Sequence, residues 1–177
     1  MQDARPSPSP RSPVGPLALA RRAALTAAAL LGTAFASPAR ALTVPMSGWN
    51  ATDATRTTWA DAAGACLLHE ETLTQPYPGF STADAARTFA LRVQTALQAQ
   101  TEGGQKLQSV VTQPVDRAGK WTVLAAYLFV QNDVSYRATQ LYVTDSGKLR
   151  TITGSSADGE ASECVSQMRE FLRFLAD

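Results

Sequence analysis

A chain of 177 residues with one histidine and two cysteines has room for one domain and an appendage, but few side chains that ligate metals. Its formal charge of +1 is uneven: five of the 16 basic residues and one of the 15 acidic ones lie in residues 1–41, so the remainder carries −3. A mildly acidic domain has no electrostatic footprint for nucleic acid or anionic lipid, and that class of partner is excluded.

The appendage comes first. Residues 1–22 are rich in Pro, Ser and Arg and end in Arg21-Arg22. The apolar run Ala23–Ala36 follows, shorter than the ~20 residues needed to span a bilayer. Two small-x-small sites, ending at Ala36 and Ala41, complete the pattern of a secretory signal peptide. Cleavage is expected after Ala41, with Ala36 as second choice. The short apolar core argues against the competing reading, an uncleaved anchor. The arginine pair hints at twin-arginine export, although the usual flanking polar residue and Phe are missing, so general secretion fits as well. No cysteine follows the run before Cys66, which argues against a lipoprotein. The expectation is a periplasmic or secreted domain, residues 42–177, with no stable membrane insertion after cleavage. In such a compartment Cys66 and Cys164 form a disulfide by default. A redox-active pair would usually be closer in sequence.

Residues 42–50 open extended, with Pro45 and Gly48 discouraging a helix. Residues 53–68 are ambiguous. Trp59, Ala62, Ala63, Cys66 and Leu67 would share one helix face, but three threonines and Gly64 favour a hairpin of strands 55–60 and 65–73. The loop Gln75–Phe80 follows. Ser81-Thr-Ala-Asp84 then fits a helix start, and the stripe Ala86, Phe89, Ala90, Val93, Ala96, Leu97 predicts a helix over 82–100, stopped at Gly103-Gly104. A strand over 107–115 carries Pro114, which suggests an edge or a strand end.

Three strands in a row come next: 121–130, 134–144 and 148–153. Gln131-Asn132-Asp133 and Asp145-Ser146-Gly147 join them with hairpin chemistry. A last helix over 160–175 puts Cys164, Met168, Phe171, Leu172 and Leu175 on one face. Strand 121–130 is apolar on both faces, so both need cover. The expected fold is α+β, an antiparallel sheet sandwiched between helices (α/β/α), with 121–130 near its centre.

Two stretches carry a likeness to a known family: Pro45-Met-Ser-Gly-Trp49, and the tail from Leu141 through Gly154 to Phe171-Leu-Arg-Phe-Leu175. In these, and in the order hairpin, helix, meander, helix, the chain resembles the PsbP-like superfamily of secreted and lumenal proteins. The resemblance implies an α/β/α sandwich and a non-enzymatic accessory or binding role, with no catalytic residue to carry over. The alternative fold is the cone of nuclear transport factor two-like domains, which would require residues 53–68 to be helical.

Candidate sites are few. His69 with Glu71 on one strand face is the candidate acid–base pair, against a histidine merely solvated on a sheet face. Tyr77 and Phe80 are the candidate binding loop, against aromatics tucked over the core edge. Arg137, Lys148 and Arg150 form a basic patch or else find acidic partners. No His-x-x-His, His-Glu-x-x-His or Gly-x-Ser-x-Gly pattern occurs, so no catalytic, metal or cofactor residue is assigned. The functional expectation is an exported soluble binding or accessory protein for an unknown protein or small ligand. The alternatives are a small pocket-containing enzyme using His69, and a structural or inhibitory partner of another exported protein.

Overall fold

The computed structural model describes residues 42–102, 105–117 and 119–176. The expected signal peptide and Gly103-Gly104 lie outside the described residues. In chain order the elements are β1 (Trp49–Ala51), β2 (Thr58–Asp61), β3 (Cys66–Pro76), α1 (Ala83–Ala99), β4 (Thr101–Glu102), β5 (Gln105–Lys106), β6 (Gln108–Arg117), β7 (Lys120–Gln131), β8 (Val134–Asp145), β9 (Lys148–Ala157) and α2 (Glu163–Ala176). Seven strands make one sheet in the order β1-β2-β3-β9-β8-β7-β6, and β4 and β5 form a separate ribbon. Every neighbouring pair is antiparallel.

Local chemistry accounts for the hairpins. Asn132 and Asp133 stand at φ 50° and 62°, and Ser146 and Gly147 at 52° and 74°. Two left-handed residues in a two-residue turn match the right-handed twist of the strands they join. The β2–β3 turn is built on Asp61, whose carboxylate accepts the Cys66 N–H at 2.7 Å and the Ala63 N–H at 3.1 Å. Residues 53–68 thus form a loop and a hairpin and not a helix, so the cone-shaped alternative does not hold. Helix α1 starts on Thr82, whose hydroxyl accepts the Ala85 N–H at 3.2 Å. Its capping residue Gln100 is already extended, so the helix ends before the glycine pair is reached.

The two helices cover opposite faces. Alternation along β7 and β8 turns Val123, Ala125, Tyr127, Phe129, Ala138 and Tyr142 toward Phe89, Ala90, Val93 and Leu97 of α1. On the other face Leu68, Leu141 and Ile152 meet Val165, Met168, Phe171 and Leu172 of α2, with Trp49 and Trp59 beside them. Trp49 also donates its indole N–H to Gln167 Oε1 at 2.9 Å. The architecture is an α/β/α sandwich.

One expectation needs correction: β9, not β7, is the middle strand. β7 lies next to the edge strand β6, where Pro114 is tolerated because no strand beyond it needs an N–H. From Val123 to Val130 only one face of β7 is buried. Leu124, Ala126, Leu128 and Val130 on its other face are half-buried, because α2 sits over β3, β9 and β8 instead. The cover is therefore diagonal: α1 over the β6–β8 half of one face, α2 over the β3–β8 part of the other.

Candidate functional site

Alternation along β3 decides which of its polar side chains share a face. His69 and Glu71 point to the α1 side of the sheet, and Glu70 to the α2 side. Register then extends the α1-side set across the strands. Thr58 pairs with His69, His69 with Thr153, and Thr153 with Gln140, giving one polar row over β2, β3, β9 and β8. Glu71, Thr151 and Tyr142 form the neighbouring row. Thr58, Thr151 and Thr153 are buried, and Gln140 is only 1% exposed.

Burying so many polar groups is costly unless each finds a partner. Some partners are present. His69 Nδ1 lies 3.0 Å from Thr58 Oγ1, and the Tyr142 hydroxyl donates to Gln140 Oε1 at 2.7 Å. Burial also sets the charge of the patch. It lowers the pKa of His69 against the pull of Asp53, so the imidazole is neutral at neutral pH. It raises the pKa of Glu71, and it raises that of Tyr142 together with the nearby Tyr127 and Glu71. Burial also raises Asp53, but hydrogen bonds from Thr55, Thr57 and Thr58 outweigh it and hold the carboxyl below the usual range. The patch is thus a set of mainly uncharged hydrogen-bonding groups, suited to recognising hydroxyls and amides. Among the described residues no hydrogen bond joins His69 to Glu71; the group within reach of the imidazole is the Thr58 hydroxyl.

The other sequence candidates lie elsewhere. Phe80 is 6% exposed, with its ring 5.0 Å from Phe89 and 5.4 Å from Tyr77, and Phe89 packs in turn on Tyr142 at 5.4 Å. The aromatics of this loop are used to close the core over α1. Arg137 pairs with Asp158 at 3.0 Å, and Arg150 bridges Glu70 and Asp145, so these two arginines do not form a free basic patch. Cys66 and Cys164 are joined in a disulfide with Cα atoms 6.0 Å apart. Among the described residues, one group of three metal-ligating residue types lies close together, Asp61, Cys66 and Cys164, but its two sulfurs are the disulfide and leave a single carboxylate as ligand. Thr58, Gln140, Thr151 and Thr153 were not singled out from the sequence. Their signal is a polar residue at every second position of strands that lie inside a sandwich.

No protein-family model and no curated protein matches the chain. Among solved structures it is similar to cyanobacterial PsbP from Synechocystis sp. PCC 6803, with 18% identity and a TM-score of 0.44 over 73% of this chain and 79% of that one. No residue role is carried over from it. No helix among the described residues is long and apolar enough to cross a membrane.

Proposed function

We propose that this domain is an exported, non-enzymatic binding or accessory protein that takes a small polar ligand along the row from Thr58 to Gln140. One observation carries the reading: a run of buried or half-buried, mainly uncharged hydrogen-bonding side chains crosses four adjacent strands on the sheet face that α1 covers only in part. The hydroxyl and amide groups of the row match a ligand that carries hydroxyls or amides. The signal-peptide pattern of residues 1–41 supports export, and the Cys66–Cys164 disulfide is in keeping with an oxidising compartment.

The test is a chemical-shift titration of the 42–177 protein with sugars, small amides and small carboxylic acids. Binding should move the resonances of His69, Thr153 and Gln140, and Thr153→Val should weaken it. Saturable binding that moves only residues on the α2 side would overturn the reading.

A second reading has its own support. Burial shifts the pKa values of His69 and Glu71 in opposite directions, which is how acid–base pairs are tuned. Against it, His69 Nδ1 is engaged by Thr58 and its carboxylate neighbour is not bonded to it. Slow conversion of the bound ligand, abolished in His69→Gln, would favour an enzyme.

A further inference from the structure

We propose that the part of the sheet left open beside α2 docks an amphipathic helix of a partner protein, its apolar stripe on β6 and β7 and its acidic edge along α2. Because the helices cover the sheet diagonally, each face keeps one open part. On the α1 side that part is the polar row. On the α2 side it is apolar. Ala126, Leu128 and Val130 of β7 are half-buried there, and Val111 of β6, which pairs with Ala126, is 59% exposed. None of the four joins the side chains packed under either helix. Adjacent apolar side chains on one open face are the kind of patch at which proteins associate.

Two features select a helix over an added strand. The free edge of β6 is unfit for pairing: Ser109 stands at φ 51° where the register shifts between Gln108 and Val111, and Pro114 has no N–H to donate. The face, by contrast, has the right width. Two strands span about 10 Å, and one helix with its side chains measures about 10–12 Å across. A helix laid there would continue the layer that α2 begins over β3, β9 and β8.

Charge selects the partner. Trp49 of β1 bonds to Gln167, so the flank of α2 that carries Gln167 looks toward β1. Met168 points at Gly154 in the sheet, and each helical residue turns by about 100° from the last. Arg169 and Arg173 therefore project from the opposite flank, toward β7. Both are exposed, and neither has an ion-pair partner among the described residues. Glu163 lies on the other flank, where its carboxylate accepts from Gln167. The open face is thus an apolar floor with a basic wall, the complement of a helix whose apolar stripe is edged with Asp or Glu. The chain's own leader has the wrong charge, because residues 1–41 carry five basic residues against one acidic.

The experiment places a photo-crosslinking amino acid at Val111 of the full-length protein in its own cells, and mass spectrometry identifies the segment captured. A control at Leu91, 65% exposed on α1, reports capture by exposure alone. The expected product joins Val111 to a segment of another protein with apolar residues at helical spacing and acidic residues beside them. It should be absent at Leu91, lost with Leu128→Asp, and reduced several-fold by Arg169→Glu with Arg173→Glu. Near-ultraviolet circular dichroism of the purified variants reports their folding. Capture of a second copy of this chain, of residues 1–41 or of a segment without acidic residues would overturn the proposal. So would equal capture at Leu91, no capture at Val111, or a yield unchanged in folded Leu128→Asp. Binding of the purified 42–177 protein to anionic phospholipid vesicles, abolished by Leu128→Asp, would assign the face to lipid instead and overturn it too.

Discussion

Gly154 in the middle of β9 lies against Met168 of α2 so closely that a β-carbon would stand 2.6 Å from the methionine sulfur and 3.2 Å from Leu172 Cδ1. The absent side chain is what lets the helix approach the sheet. Gly154→Ala should cost about 1–3 kcal/mol, the usual penalty for overpacking a filled core. Chemical denaturation measures it. Met168→Ala in the Gly154→Ala background should restore part of the loss, because the two positions share one contact and their effects do not add.

Arg150 and Glu70 give a second test. The Glu70 side chain is fully buried, and its Oε1 accepts from Arg150 Nε at 2.7 Å. Arg150→Ala strands that carboxylate in the core, and the expected loss is about 3–5 kcal/mol. Replacing both residues with leucine should be much milder than the single change, because no unpaired charge remains. Urea midpoints of the two variants decide this.

The pH dependence of stability should carry two opposed contributions from one patch. The folded pKa of His69 lies below its ordinary 6.5, so the unfolded chain binds more protons and stability falls as pH drops through 6.5. The folded pKa of Glu71 lies above its ordinary 4.5, so the folded chain keeps its proton longer and stability falls as pH rises through 4.5. His69→Gln should remove the loss on the acid side of 6.5, and Glu71→Gln the loss above 4.5. Denaturation across pH 4–8 should show each variant flattening its own limb of the wild-type curve.

Removing the disulfide should be costly, since it closes a loop across a sequence separation of 98 residues. The expected loss for Cys66→Ser with Cys164→Ser is about 2–5 kcal/mol. The early melting region should be α2 and its contacts with β3, which hydrogen exchange resolves residue by residue.

Much of this structure is legible in short windows of sequence. The turns at Asn132-Asp133 and Ser146-Gly147 announce their hairpins, and the stripes of α1 and α2 announce which side chains each helix buries. What short windows hide is long-range pairing. Nothing near Cys66–Pro76 says that its neighbour is β9, some 80 residues on. Thr153-Gly154-Ser155-Ser156 looks like a strand running out into a polar linker, and an end at Thr153 is the natural reading. The strand continues to Ala157 because Gly154 accommodates α2 and the next two residues keep ladder partners on both sides, Ser155 between Leu67 and Ala138 and Ser156 between Cys66 and Arg137. The row from Thr58 to Gln140 was hidden for the same reason: each member is an ordinary threonine, histidine or glutamine until four strands are laid side by side.

The pairing of β3 with β9 also sets an order of events in time. The meander from β6 to β9 zips between sequence neighbours, but the opening hairpin has no flank to join until the final strand exists. The chain must therefore be free through β9 before the opening hairpin finds its flank. Until then Trp49, Trp59 and Leu68 lack the β9 and α2 side chains that cover them and are open to chaperones and proteases.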